Sequence, residues 1–192
     1  MEKQIEQVVA GSLLGDGWLE SQSDSGTAMY RVKYSNSYDY IKWIRELIKD
    51  LNPSEIKSIK SHNQHYIYTE ARKDIGELYQ KFYPKKIKII PSDIGRLLTP
   101  LALAIWYQDD GTLDNRPRNH LNAMFATHCF TYEECKLLTE VLWENFQINA
   151  SVCKSRMRGK VYYRLYIWSE SMDRFIEVVR PFIHKTFEYK IP

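Results

Sequence analysis

The chain repeats one pattern, and this repetition is the strongest constraint on its fold. Residues 9–17, VAGSLLGDG, recur in character at residues 103–111 as LAIWYQDDG. Each copy ends in an acid followed by glycine, so Asp16 corresponds to Asp110. An internal repeat is the sequence signature of a structural unit that is used more than once. The chain is therefore expected to contain two similar halves.

The same order of signals follows each copy of the repeat. Apolar residues alternate with polar ones where strands are expected, and they recur every three or four positions where helices are expected. With the repeat helix in front, each half is predicted to be an αββαββα unit of an α+β fold, in residues 1–91 and 92–192. The predicted segments are 18–22, 28–34, 38–51, 55–61, 65–69 and 73–83, then 112–113, 121–127, 133–146, 150–157, 161–168 and 172–183.

Two helix starts carry capping signals. Thr99 precedes Pro100, and proline is favoured at the first position of a helix. Thr131 is followed three residues later by Glu134, which is the spacing of a capping box. We therefore expect one helix to begin after Thr99 and another after Thr131.

Both copies of the repeat are predicted to be helices, and their small residues indicate how these helices pack. Ala10, Gly11 and Gly15 lie in the first copy, and Ala102 and Ala104 lie in the second. Small residues let two helix backbones approach more closely than bulky side chains permit. The sequence therefore predicts that the two repeat helices pack against each other along a pseudo-twofold axis.

This packing places Asp16 and Asp110 side by side at the C-terminal ends of the two helices, followed by Gly17 and Gly111 as expected left-handed terminators. A carboxylate there opposes the helix dipole by roughly 0.3–1 kcal/mol. Two neighbouring carboxylates also repel each other. A divalent cation removes both penalties, because Mg²⁺ prefers hard oxygen ligands. One Asp-Gly pair is ordinarily a turn, whereas two at matching positions favour a metal site.

Composition excludes several classes. Cys129, Cys135 and Cys153 have no metal-ligand spacing, and an odd number argues against a disulfide framework, so we expect free thiols. The apolar runs are shorter than the roughly 18 residues that a membrane span needs, and no targeting signal is evident at the N-terminus. The formal net charge of +3 is too small to prove a nucleic-acid partner. An intracellular protein with no membrane partner is expected.

At these residues the chain resembles the LAGLIDADG homing endonuclease family. The segment VAGSLLGDG keeps four family letters, Ala10, Gly11, Asp16 and Gly17, and LTPLALAIWYQDDGTL resembles the second motif of single-chain members. The resemblance extends from Gln7 to the closing YKIP. It implies a functional monomer in which two motif helices form the interface and two four-stranded antiparallel sheets form a DNA-binding saddle.

The resemblance also implies site residues. The catalytic acids fall on Asp16 and Asp110, and a lysine just before a proline falls on Lys88 and on Lys190, with Lys86 as the competitor of Lys88. Three departures, Leu14, Ile105 and Gln108, replace family letters without removing a catalytic acid. The expected cofactor is Mg²⁺ or Mn²⁺, with two or three ions shared between the aspartates. The candidate metal-site residues are Asp16, Asp110, Gly15 and Asp109, the last through structural or water contacts.

Basic residues are concentrated on the predicted strands and turns. Arg31 and Lys33 share one face of a strand, and Lys154, Arg156 and Arg158 alternate along another. A two-stranded ribbon fits the major groove of DNA, although a solvated sheet face would show the same alternation. The candidate DNA-binding residues are Arg31, Lys33, Lys57, Lys60, Arg116, Arg118, Lys154, Arg156, Arg158 and Arg164.

These observations predict a metal-dependent endonuclease that makes a double-strand break at a long, non-palindromic DNA site, as in intron homing. Two alternatives remain open. In the first alternative, the chain is an RNA maturase that assists group I intron splicing, with intron RNA as its partner. In the second, it is an inactive DNA-binding regulator of the same fold. Intact acids in both motifs favour cleavage.

Overall fold

The computed structural model describes residues 1–21, 26–116, 120–157 and 159–192, with only the backbone of Arg116, His120 and Met157. In these ranges, no helix is both long enough and apolar enough to cross a bilayer. The α-helices of this part of the chain are α1 (Lys3–Leu14), α2 (Tyr38–Leu47), α3 (Lys73–Phe82), α4 (Ile94–Leu97), α5 (Pro100–Asp110), α6 (Tyr132–Phe146) and α7 (Met172–Val179).

The strands described form two antiparallel sheets of four strands each, with the orders β1-β2-β4-β3 and β5-β6-β8-β7. Because the two orders are equivalent, the predicted duplicated α+β fold is confirmed. The boundary between residues 91 and 92 stays a prediction. The strands are β1 (Trp18–Ser21), β2 (Ala28–Ser35), β3 (Lys57–Ile59), β4 (Gln64–Tyr68), β5 (Gly111–Arg116), β6 (His120–Ala126), β7 (Ala150–Met157) and β8 (Lys160–Ile167).

Some element ends differ from the sequence predictions. Strand β3 is shorter than expected because Lys60–His62 form a 3-10 turn. Helix α7 also ends early, since Pro181 lacks the N–H that would continue it, and Arg180–Phe182 form another 3-10 turn. Both differences lie at the ends of elements, where local turn geometry overrides periodicity.

Each sheet has one face covered by helices. In β2, Ala28, Tyr30, Val32 and Tyr34 are buried, whereas Lys33 on the opposite face is exposed. Helices α2 and α3 pack on the first sheet, and α6 packs on β7 and β8. The covered faces and the motif helices share one hydrophobic core, which leaves the opposite face of each sheet free to bind a partner.

The motif helices α1 and α5 pack with their backbones in contact. A Cβ added to Gly11 would lie 2.4 Å from the carbonyl oxygen of Ala102, and one added to Gly15 would lie 2.5 Å from the Cβ of Asp109. The predicted close approach is therefore confirmed. No larger residue fits at Gly11 without moving a backbone atom of the opposite helix.

The expected caps are present, but the expected glycine geometry is wrong. Thr99 Oγ1 accepts from the amide of Ala102 at 3.3 Å, and Thr131 with Glu134 forms the capping box. Gly111 has φ −82° and ψ 151°, outside the left-handed region, and Gly17 is not among the described glycines with positive φ. Close approach explains these glycines instead. A Cβ added to Gly17 would lie 2.4 Å from Ser12 Oγ, and one added to Gly111 would lie 2.0 Å from the Tyr107 ring.

Segments near the ends of the two halves cross the interface in opposite directions. The amide of Ile90, between α3 and α4, donates to a carboxylate oxygen of Glu134 on α6 at 2.9 Å. The 3-10 segment Lys185–Lys190 returns to α2, where Lys185 pairs with Asp39 at 3.2 Å. Each half therefore places a short segment on a helix of the other.

Candidate active site

The two motif acids lie at the same end of the helix pair. Helix α1 ends at Leu14, so Asp16 lies just beyond it and is exposed, whereas Asp110 is the last residue of α5 and is half-buried. Both carboxylates interact electrostatically with Lys88 and Lys190. The structure therefore brings the predicted acids and the predicted lysines together.

The environment of the acids favours a bound cation. Burial, reinforced by the negative charge of Asp16, raises the pKa of Asp110 to about 6, although Lys88 and Lys190 oppose this shift. Burial also raises the pKa of Asp16, against the same two lysines. Asp16 reaches solvent on one side, but the surrounding protein still removes part of its hydration. Desolvation therefore disfavours the charged form of both carboxylates, and a bound cation would offset that cost.

The two lysines contact the C-terminal ends of the motif segments. Lys88 is half-buried, and its Nζ donates to the carbonyl oxygen of Gly17 at 3.0 Å. Lys190 is buried, and its Nζ donates to the carbonyl oxygens of Gln108 at 2.7 Å and Tyr107 at 3.3 Å. Burial lowers the pKa of each ammonium group, and the aspartates oppose that shift.

Lys86, the competitor of Lys88, is fully on the surface. Its side chain is exposed, and its backbone has a positive φ of 63° in the turn after α3. Between the two candidates, Lys88 is the one whose Nζ contacts the motif segment. The geometry therefore favours Lys88.

Asp109 has both carboxylate oxygens in hydrogen bonds. Oδ2 accepts from the backbone amide of Asp16 at 3.3 Å, and Oδ1 accepts from the hydroxyl of Tyr40 at 3.1 Å. Burial, then the nearby Asp16 charge, raises the pKa of Asp109 well above its ordinary value. Tyr40 was not predicted from the sequence, because its contact joins residues far apart in the chain.

Two clefts meet at these residues, one below each sheet. A cleft of about 740 Å³ runs from Asp110 along the start of β5, and one of about 690 Å³ runs from Asp16 along the end of β2. Asp109, Tyr189 and Lys190 line both clefts. The cleft beside Asp16 also reaches Lys33, so a ligand on the free face of the first sheet would lie close to the motif acids.

A metal ion bound by these acids would need further ligands besides carboxylate, imidazole and thiol side chains of the described residues. Within the described part of the chain, no three His, Cys, Asp or Glu side chains form a ready metal cluster. Mg²⁺ is commonly held by one or two carboxylates, with water and substrate phosphate oxygens completing the coordination. Two accessible carboxylates with raised pKa values fit that mode.

The free face of the first sheet carries several predicted DNA-binding residues. Cross-strand partners share a face, and the register pairs Arg31 with Tyr68, and Tyr66 with both Lys33 and Lys57. These five side chains therefore lie opposite the core. The two tyrosines were not predicted as contacts, although their alternation in β4 carried that signal.

Some of these basic groups are already paired. Arg31 forms an ion pair with Glu20 at 2.6 Å, and Lys57 Nζ donates to the Tyr68 hydroxyl at 2.7 Å. Lys60 lies in the 3-10 turn between β3 and β4. The side chain of Lys33 is exposed, and its ammonium group is not engaged in an ion pair with any residue that the structure describes. Among Arg31, Lys33 and Lys57 on this face, Lys33 is therefore the most available cation.

The second sheet differs from the sequence expectation. Lys154 and Arg156 lie on the same face as Val152, which pairs with the buried Leu165, so they are on the helix-covered side. Arg164 lies on the free face. The expectation that the alternating basic residues of β7 line the DNA-facing surface is therefore corrected. Both basic side chains are exposed, so β7 is not covered by helices at these positions.

Three other candidates cannot be placed on either face. Arg116 belongs to β5, but only its backbone is described. Arg118 and Arg158 lie outside the described residues. These three remain predictions.

Comparison of the sequence with protein-family models identifies the family of this chain. The model described as the LAGLIDADG DNA endonuclease family matches residues 6–175. The chain belongs to the LAGLIDADG family. This assignment confirms the resemblance seen in the two motifs, whereas the catalytic role of Asp16 and Asp110 stays a prediction.

Relatives of the chain include both maturases and endonucleases. The chain is 29% identical to the cytochrome b mRNA maturase bI2 of Saccharomyces cerevisiae, covering 97% of the chain but only 47% of that protein. It is 28% identical to the DNA endonuclease I-ChuI of Chlamydomonas applanata, over 100% of the chain and 95% of that protein. The chain thus spans about half of one LAGLIDADG relative and nearly all of another.

Solved structures share the fold. The homing endonuclease I-WcaI, bound to its DNA recognition sequence, has a TM-score of 0.82 at 22% identity, over 100% of this chain and 87% of that chain. I-DmoI in complex with DNA and Mn has a TM-score of 0.56 at 18% identity, over 92% of this chain and 96% of that chain. At these identities the likeness establishes the LAGLIDADG fold alone.

Proposed function

We propose that this chain is a site-specific DNA endonuclease that makes a metal-dependent double-strand break at a long, non-palindromic site. The observation that carries the proposal is the convergence of Asp16 and Asp110, one from each half, at the ends of the motif helices and beside the same two lysines. The full-length match to I-ChuI supports it, because that relative is named as a DNA endonuclease. Such an enzyme would act wherever the target DNA lies, in a cell or an organelle.

The acids and lysines have separate roles in this proposal. Asp16 and Asp110 hold the divalent ions, with the carbonyl of Gly15 beside them. Two or three bound Mg²⁺ or Mn²⁺ ions would supply the Lewis acid that activates water and stabilises the leaving oxygen. Lys88 and Lys190 stabilise negative charge near the scissile phosphates without binding the metal. The I-DmoI complex with DNA and Mn supports this choice of cation.

The two sheets hold the DNA in this proposal. Lys33, Arg31 and Lys57 on one sheet and Arg164 on the other supply phosphate and base contacts. Their side chains differ between the halves, so the two half-sites would be read differently. A single chain with two unlike sheets is suited to a non-palindromic target, and it needs no second copy.

Selection of cleaved sites from a random duplex library with Mg²⁺ tests activity and specificity together. We expect a long, asymmetric consensus, and the same library with Ca²⁺ should be bound without being cut. The variant in which both Asp16 and Asp110 are replaced by asparagine is the matched control for background cleavage. Failure to recover any Mg²⁺-dependent cut site, from a chain that binds DNA, would indicate the inactive regulator instead.

A maturase role is the second candidate, and the match to the yeast bI2 maturase favours it. Splicing assistance would rest on RNA binding rather than on hydrolysis. The Asp16→Asn and Asp110→Asn double variant should then retain splicing assistance after losing DNA cleavage. Loss of both activities in that variant would argue against a separate RNA-binding role.

A further inference from the structure

Asp109 is a residue of the second half whose side chain binds the first half. Its two oxygens accept from the Asp16 amide at 3.3 Å and from the Tyr40 hydroxyl at 3.1 Å. The matching position in the first motif is Gly15, which has no side chain to return the contact. The arrangement is therefore one-sided, and it acts on one of the two motif acids.

The packing around Asp109 fixes its orientation. A Cβ on Gly15 would lie 2.5 Å from the Cβ of Asp109, so the glycine makes the room that the aspartate occupies. The Tyr40 ring contacts Trp43 at a centroid distance of 5.5 Å and Phe187 at 4.7 Å. Because that ring is held on two sides, its hydroxyl presents a fixed donor to Asp109.

We propose that Asp109 is a positioning residue that holds the backbone of Asp16 so that the Asp16 carboxylate can bind the metal. The inference rests on the proposed function and gives a specific form to the structural role expected for Asp109 at the metal site. Both oxygens of Asp109 are already used as acceptors, and each bond runs to the first half. These two bonds fix the direction of both oxygens, so the orientation of the carboxylate is set by the first half rather than by a metal ion.

Two substitutions distinguish positioning from ligation. Asp109→Asn keeps an oxygen that accepts from the Asp16 amide, and its amide nitrogen can donate to the Tyr40 hydroxyl, which is also an acceptor. Asp109→Ala keeps neither contact. We expect Mn²⁺ binding by the full chain, followed by electron paramagnetic resonance, to weaken at least fivefold in the alanine variant. The asparagine variant should weaken less than twofold.

Cleavage gives the second measurement. With each strand end-labelled, Asp109→Ala should raise the Mg²⁺ concentration for half-maximal cleavage about tenfold. In Asp109→Asn, that concentration should stay close to the value of the unsubstituted chain. Tyr40→Phe removes only the hydroxyl that donates to Asp109. This variant should raise the Mg²⁺ concentration for half-maximal cleavage by a smaller factor. Melting temperatures measured for all variants separate this effect from general unfolding.

The possible outcomes are distinct. Equal weakening of Mn²⁺ binding by the asparagine and alanine variants would make Asp109 a ligand and overturn the proposal. Unchanged Mn²⁺ binding in the alanine variant would also overturn it. If the Mn²⁺ pattern holds but the unsubstituted chain cuts no DNA, the proposed function fails while the positioning role stands.

Discussion

The two motif ends share a pattern but not an environment. Asp16 lies beyond the end of its helix and is exposed, whereas Asp110 remains within α5 and is half-buried. Lys88 makes one carbonyl contact from a half-buried position, and Lys190 makes two from a buried one. Duplication therefore preserves which groups meet, while local packing sets how strongly each is desolvated. The two DNA strands should consequently be cut at unequal rates.

Removing the acids is the most severe test of this comparison. Asp16→Asn or Asp110→Asn should each reduce double-strand cleavage by about two orders of magnitude or more, because each removes a charged metal ligand. DNA binding with Ca²⁺ should fall much less. Strand-resolved nicking rates under single-turnover conditions provide the measurement. Full cleavage by either variant would remove that acid from the active site.

Replacing the lysines should separate the two ends further. Lys88→Ala and Lys190→Ala should each slow hydrolysis by about tenfold, since a neighbouring cation assists electrostatically without holding the metal. Lys190→Ala should also lower the free energy of unfolding by about 1–3 kcal/mol, because buried carbonyl oxygens lose their donor. Urea unfolding checks this difference. Equal stability of the two variants would contradict the comparison, and normal cleavage rates in both would exclude the lysines from catalysis.

The pH dependence should follow the more buried acid. The pKa of Asp110 is raised to about 6, so a proton occupies this carboxylate below that pH and must leave before Mg²⁺ binds. The Mg²⁺ concentration for half-maximal cleavage should therefore rise severalfold as the pH falls from about 7 to about 5. Mg²⁺ titrations across this range measure it. A pH-independent value would show that Asp110 is not the limiting ligand.

The smallest expected effect compares the two faces of the sheets. Lys33→Ala should weaken DNA binding a fewfold and reduce its salt dependence, because a phosphate contact releases counterions. The Lys154→Ala, Arg156→Ala double variant is the matched control from the helix-covered face, and its effect should be smaller. Binding isotherms at several salt concentrations measure the loss of DNA affinity in both variants. A larger loss in the control would return β7 to the DNA-facing surface.

Much of this architecture was predictable from the sequence, because the repeat and the two periodicities are local signals. They indicated the succession of helices and strands along the chain, the close helix pair and the meeting of Asp16 with Asp110. The face of Lys154 was assigned wrongly because alternation defines two faces without saying which one is covered. Val152, two residues before Lys154, carried the correct signal. The contact between Asp109 and Tyr40 was not predictable, since nothing local links the two positions.

The crossed segments have a consequence for any attempt to recombine halves of related enzymes. Ile90 is tied to Glu134, and Lys185 is tied to Asp39, so the linear division of the chain is not the division of its packing. A chimera spliced after residue 91 would place Ile90 against a foreign α6 or Lys185 against a foreign α2. Working hybrids should therefore need these docking positions redesigned together with the sheets.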